Sequence, residues 1–334
     1  MSTKLLRSLA AAMLLAGISM AARAQPVELK VSTYLPPNHT VNKVLEDWGT
    51  DIDKRSGGRL KLHLFPASQL GPVQRQFDLA RNGQADAAVG LTGATPGRYP
   101  MTELASLPFV TPKDGGTSAV MSRRMTELAP KYLTPEYPGM HLLWVGVPPL
   151  NTFFTARREI DAVSDLRGLK LRFQGEQHAK VLRALGAVPL QVPPGEIADG
   201  MSKGVIEGAI FNYEAADSFG LASVTHHVME PAFITATLVF VMNKAKYDGL
   251  PPDLRAVIDE TTGPAAAEQL GRRWDVAQQQ GRDAMLASKV AINTLAPAEV
   301  EKLKAALQPL EREDVDALDK SGRPASQLIA DYTR

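Results

Sequence analysis

Twice along the chain, short strand-like segments alternate with helix-length segments, and this repeated order restricts the fold more than any other feature. In the first run, residues 27–34 alternate apolar and polar side chains as a half-buried strand does; Pro36-Pro37-Asn38 turns, and a helix is predicted from about 41 to 54. Ser56-Gly57-Gly58 ends that helix and residues 60–65 alternate again. A second helix follows Gly71-Pro72 to about Arg81, stopped by Asn82-Gly83 ahead of an apolar strand over 85–91. This strand–helix–strand–helix–strand order predicts an α/β unit with a largely parallel sheet.

The pattern restarts beyond Pro148-Pro149. It predicts a strand over 169–173, a helix over 176–185 closed by Gly186, a strand over 188–192, a helix over 196–203 and a strand over 208–211. Residues 233–242, rich in β-branched and aromatic side chains, predict a buried strand; they are about half the ~20 residues of a membrane span. Past Asn243 the pattern is helical. A long amphipathic stretch over 252–289 breaks at Gly263-Pro264, and a shorter helix over 297–308 puts Val300, Leu303 and Leu307 on one face. These helices are expected across the back of two α/β lobes, whose facing strand ends would form a cleft.

The N-terminus carries Lys4 and Arg7, an apolar run over 9–22, and Ala22-Arg23-Ala24 ahead of Gln25. Those are the three regions of a cleavable export signal, with cleavage expected after Ala24. The alternative, a membrane anchor, needs a longer run of ~20 residues. Removing the segment takes away three cations and no acid, so the formal charge of +1 becomes −2. With no cysteine, the chain makes no disulfide and offers no lipid-attachment thiol. A soluble Gram-negative periplasmic protein is expected.

Near-neutral charge without a basic tract gives no footprint for nucleic acid. The six histidines (His39, His63, His141, His178, His226, His227) are scattered, with no helical metal pair. No phosphate loop, GxGxxG, GxSxG elbow or calcium loop is present, so neither a cofactor nor a catalytic motif is expected. The expectation is a binding protein, not an enzyme, although a catalytic set assembled from distant residues would leave no motif.

Arg172 stands in residues 166–175, LRGLKLRFQG. Alternation places Leu169, Leu171 and Phe173 on one face and Lys170, Arg172 and Gln174 on the other. Read alone, Arg172 is either a solvated surface residue or a planar donor fork for a carboxylate.

From Leu166 the chain reads LRGLKLRFQGEQHAKVLRALGAVPLQVPPGEIADGMSKGVIEGAIFNYEA. This resembles the TRAP transporter solute-binding proteins, the extracytoplasmic receptors related to the four-carbon dicarboxylate binder. The matching pieces are the Gly168-to-Arg172 strand, Ala184 to Ala187, Val192 to Glu196 and the Gly204-to-Gly208 turn. Residues 36–39, 56–71, 81–87, 95–110 and 238–260 are similar to other parts of the family, so the likeness covers nearly 27–310.

The resemblance implies an α/β, two-lobed periplasmic binding protein of the Venus-flytrap type, with a cleft between lobes and a long C-terminal helix spanning both. Lobe I would take 25–149 with about 238–277, and lobe II 150–237 with about 278–334. It also implies a monomeric receptor that binds a small organic acid and passes it to small and large TRAP membrane subunits. Arg172 would be the carboxylate clamp. Thr92 and Gln174 are candidate hydrogen-bond donors or ordinary turn and surface residues, and Arg98 is either a second cation or a pin for its loop. After Gly208 the chain departs from the asparagine-bearing members and is similar to a subgroup with hydrophobic-Pro-Trp-Glu. A polar contact from Asn212 is therefore not carried over; Phe211 and Tyr213 are pocket walls or core aromatics. The expected ligand is a monocarboxylate with an aromatic or 2-oxo body. Rival readings are an ABC-type receptor, a ligand-presenting partner of a histidine kinase or chemoreceptor, and a secreted hydrolase.

Overall fold

A computed structural model describes residues 25–334 of the chain, so the export segment read over 1–24 lies outside the described residues. Two sheets organise the molecule. The first joins β1 (Val27–Thr33), β2 (Leu60–Phe65), β3 (Ala87–Leu91), β4 (Met140–Gly146) and the late strand β10 (Leu238–Asn243) in the order β2-β1-β3-β10-β4. The second joins β5 (Thr152–Thr155), β6 (Lys170–Arg172), β7 (Val188–Leu190), β8 (Gly208–Phe211), β9 (His227–Glu230) and β11 (Ala291–Thr294) in the order β11-β9-β5-β8-β6-β7.

Helices α1 (Thr40–Arg55), α2 (Gln76–Arg81) and α3 (Ser118–Tyr132) accompany the first sheet; α4 (Glu176–Ala184), α5 (Ile197–Ser202) and α6 (Tyr213–Ser218) accompany the second. The chain then runs through α7 (Lys244–Asp248), α8 (Pro252–Thr261), α9 (Gly263–Ala287), α10 (Pro297–Lys320) and α11 (Ala325–Thr333). Among the described residues no helix is long and apolar enough to cross a membrane.

The inner strands are covered on both faces, which is why β3, β8 and β10 read as apolar runs, while β1 and β2 keep the alternation of half-exposed strands. On β10, Val239 and Val241 enter a core with Phe77, Met121 and Val145, while Leu238, Phe240 and Met242 enter another with Leu29, Val89 and Trp274. In the second sheet Phe153, Leu171 and Ile210 share one core; Phe154, Ala209 and Phe211 share the opposite one.

β1 is parallel to β2 and β3, as the strand–helix order predicts. The exception is β10, antiparallel to both β3 and β4, because the chain re-enters this sheet from the other lobe. The strand expected over 233–242 is correspondingly shorter. Residues 233–237 are a crossover that runs beside the outgoing one at Asn151, joined where Phe233 N–H donates to the Asn151 carbonyl at 3.0 Å.

Helix α9 is the third connection, and two glycines fit it to both lobes. A Cβ on Gly271 would lie 2.4 Å from the Ala119 nitrogen of α3, and one on Gly281 would lie 2.4 Å from the Tyr213 carbonyl of α6. The break before it, at Thr262, falls where Gly263-Pro264 predicts. Helix α10 departs from expectation: it continues through Pro309 to Lys320 instead of ending near Gln308. Pro309 costs the helix one backbone bond, but Leu303, Leu307 and Leu318 are buried on either side of it and hold the helical path.

Candidate ligand-binding cleft

Strand β6 lies between β7 and β8 and is parallel to both, with Arg172 in register with Leu190 and Ala209. Arg172 is the last residue of β6, so its side chain leaves the sheet at the carboxyl ends of parallel strands, where open α/β sheets bind ligands. Alternation puts it beside Lys170 on a wet face, but the two differ in burial. Lys170 is exposed and Arg172 is only 4% exposed, because the first lobe covers this end of the strand.

A cavity of ≈ 760 Å³ opens between the lobes, bounded by Tyr34, Ser68 and Gln74 on one side and Arg172, Gln174 and Gln191 on the other. It narrows to an inner recess of ≈ 40 Å³ walled by His39, Phe211, Asn212, Glu214 and Trp274. Tyr34, Arg172, Gln174, Pro194 and Phe219 line both spaces, so the recess is the floor of the cleft.

Arg172 is under-satisfied for a buried cation. Its Nε donates to the Val192 carbonyl at 3.4 Å, its guanidinium lies 5.1 Å from the centre of the Phe211 ring, and its Nη1 has no hydrogen-bond partner among the described residues. No carboxylate pairs with it among those residues. Burial pushes its pKa down to about 10, opposed by the nearby Tyr34 phenol, so it stays charged at neutral pH. A buried, unpaired guanidinium facing a cavity is costly unless an anion completes it. Burial also holds the Tyr34 hydroxyl well above the usual phenol range, keeping it a neutral donor and acceptor.

Glu214, 3% exposed, comes from α6 but bonds to the other lobe. Its Oε1 accepts from Thr40 N–H at 3.1 Å and from the Thr40 hydroxyl at 2.7 Å, at the N-terminus of α1. Its Oε2 lies 3.5 Å from His39 Nε2. His39 caps α1 by accepting the Val41 N–H on Nδ1 at 3.2 Å, so in the neutral ring Nε2 carries the proton and faces Glu214. Burial lowers the His39 pKa, against the pull of Glu214 and with the help of Lys43.

A second junction lies at Gly93 and Gly175, where the lobes meet backbone to backbone. A Cβ on Gly175 would stand 2.8 Å from Gly93 Cα, so only glycine allows the approach. Beside it, burial raises the Glu103 carboxyl to about 7, against the hydrogen bond from Thr92, and lowers His178 to about 3. His178 Nε2 lies 2.9 Å from the Thr235 carbonyl and must carry the proton, since a carbonyl only accepts.

Of the six residues singled out from sequence, Arg172, Gln174 and Phe211 come together at the recess. Gln174 stands just past β6 and donates to the Ile210 carbonyl at 3.2 Å. Thr92, Arg98 and Tyr213 line neither space. The Thr92 hydroxyl bonds Glu103, and Arg98 pairs with Asp78 at 2.8 Å, which pins its loop to α2. Tyr213 packs edge-on against Phe154 and donates to Glu230 at 2.8 Å behind the cleft wall. Asn212, not carried over as a contact, borders the recess but is the N-cap of α6, its Oδ1 accepting from Ala215 N–H at 2.7 Å. Tyr34, Phe219, His39 and Glu214 were not singled out. Tyr34 follows β1 directly, the same strand-end position that Arg172 has on β6, and that signal would have found it.

Among the described residues no group of His, Cys, Asp or Glu is arranged to hold a metal. A profile of the DctP family, described as bacterial extracellular solute-binding protein, family 7, matches residues 31–316. Three solved structures share the fold over nearly the whole chain. A TRAP solute-binding protein of Rhodoferax ferrireducens T118, in complex with copurified benzoate, is 32% identical, with a TM-score of 0.86 over 92% of this chain and 96% of that one. A marine metagenome TRAP protein specific for aromatic acid ligands, in complex with metahydroxyphenylacetate, is 28% identical, with a TM-score of 0.86 over 92% and 97%. A Bordetella bronchiseptica TRAP protein with bound (R)- and (S)-mandelate is 29% identical, with a TM-score of 0.85 over 92% and 98%.

Proposed function

The chain belongs to the bacterial extracellular solute-binding proteins of family 7, the TRAP solute-binding proteins, and from that premise we propose that it is a periplasmic receptor for a small aromatic monocarboxylate. The observation that carries the reading is the buried Arg172 guanidinium, unpaired and facing a recess with aromatic walls. A ligand carboxylate would complete its donor fork, and an aromatic body would lie against Tyr34, Phe211 and Phe219. The bound benzoate, hydroxyphenylacetate and mandelate of the three similar proteins support the same chemistry.

The charges around the cleft favour one carboxylate rather than two. Among the described residues Arg172 is the single cation lining the cavity and its recess; the other charged side chains there are Glu176 and Glu214. A second acid on the ligand would meet like charge. Binding works by closure: a ligand that touches both lobes favours the closed form by its differential affinity, and TRAP membrane subunits read that form. Nothing in this cycle calls for a chemical step.

Mass spectrometry of small molecules released by denaturing the purified protein tests the reading. An aromatic monocarboxylic acid is the expected species. Recovery of a neutral sugar or a dicarboxylate at stoichiometric amounts would overturn it.

A further inference from the structure

We infer that Glu214 is a specificity-determining residue: a resident carboxylate that fills the anion site at the N-terminus of α1, bridges the lobes there, and so confines the ligand to a single acid group. The inference rests on the reading of Arg172 as the ligand's carboxylate site.

The recess holds two positions where an anion is favoured, and their donors are independent. One is Arg172, whose Nη1 is buried and unpartnered. The other lies at the start of α1, where Thr40 N–H, the Thr40 hydroxyl and His39 Nε2 converge from the first lobe, and the Ser218 hydroxyl adds a donor from the second at 3.4 Å. The α1 dipole adds to this, since 16 residues of helix present their positive end here. Glu214 already occupies this second position. It is 3% exposed, acidic, and delivered by α6 of the opposite lobe, as a ligand's carboxylate would be on closure.

Two consequences follow from the geometry. The chain's own carboxylate bridges the lobes where they meet, because its donors belong to one lobe and the acceptor to the other. The ligand needs only one acid group, and a second one directed toward α1 meets Glu214. Asn38 Nδ2 donating to the Ser218 carbonyl at 3.2 Å continues the same bridge at its edge.

The test is to vacate the position and offer it a free carboxylate. Melting temperatures are measured in sodium acetate against sodium chloride of equal ionic strength, in Arg172→Met and in Arg172→Met combined with Glu214→Ala. The first change removes the ligand's site, so acetate can act only at α1. Acetate is expected to raise the melting temperature of the double variant by several degrees more than that of its parent; equal shifts would overturn the inference. Should the alanine variant not fold, Glu214→Ser leaves the same vacancy with a polar stub.

With Arg172 intact, Glu214→Ser is expected to raise affinity for isophthalate relative to benzoate at least tenfold, and an unchanged ratio would overturn the specificity role. If the unaltered protein bound neither probe, the Arg172 reading would fail, while the acetate comparison would still decide whether α1 holds a carboxylate.

Discussion

The guanidinium of Arg172 lies over the ring of Phe211, 5.1 Å from its centre, and Phe219 holds that ring edge-on at 5.8 Å. The cation therefore rests on an aromatic face that comes from the neighbouring strand β8, and its direction depends on that support. Replacing Phe211 with Leu keeps the apolar volume roughly but removes the π face, worth ~0.5–2 kcal/mol for a cation out of water. Benzoate affinity is expected to fall about threefold to thirtyfold. Calorimetric titration with an unchanged dissociation constant would show that Phe211 only fills space.

The unliganded protein should be more stable without its cation. Arg172 is desolvated and incompletely bonded, and burial already opposes its charge. An unpaired buried charge is a stability cost that function retains, so Arg172→Met is expected to raise ligand-free stability by roughly 1–3 kcal/mol. Differential scanning calorimetry without ligand reads this directly. A lower melting temperature would mean that the guanidinium holds the lobes together rather than straining them.

Glu103 supplies a pH dependence of definite sign. Burial raises its carboxyl from the ordinary 4.5 to about 7, so between those values the folded protein holds a proton that the unfolded chain has released. Stability from this group is therefore present at low pH and lost as pH rises through about 7. Glu103→Gln, which keeps an acceptor for Thr92, is expected to raise the melting temperature at pH 8 and to change it little at pH 4.5. Equal effects at both pH values would show that Glu103 ionises normally in the fold.

The spanning helix α9 should tolerate no side chain where it meets the second lobe. A Cβ at Gly281 would lie 2.4 Å from the Tyr213 carbonyl, a backbone atom that cannot swing aside. Gly281→Ala is expected to destabilise by ~1–3 kcal/mol, visible as a lower denaturant midpoint. A midpoint within error of the parent's would mean that α6 and α9 separate freely.

The two lobes and most strand positions were legible because their signals are local. Residues 27–34 and 60–65 alternate as strands, and Gly263-Pro264 breaks a helix by backbone chemistry alone. What was not legible depends on the other lobe. From its own strand Arg172 reads as a solvated surface residue or a carboxylate fork, because nothing near it in sequence shows that the first lobe will cover it. Glu214 bonds Thr40 across a separation of 174 residues, so no local pattern marks it as a bridge. Thr92, Arg98 and Tyr213 stand near strand ends or cleft loops, but the Thr92 hydroxyl goes to Glu103, Arg98 Nη1 to Asp78 and the Tyr213 hydroxyl to Glu230. Helix α10 outlasts Pro309 for the same reason, since packing decides what propensity alone would stop.

The claim that Arg172 anchors the ligand is tested most directly by calorimetric titration of the acid recovered from the protein, compared between the unaltered chain and Arg172→Ala. Truncating one partner of a buried charge pair should cost roughly 2–5 kcal/mol, a loss of about thirtyfold to several thousandfold in affinity. The same acid converted to its uncharged amide should bind both proteins about equally weakly. A change of less than about threefold on replacing Arg172, far below that range, would contradict the account.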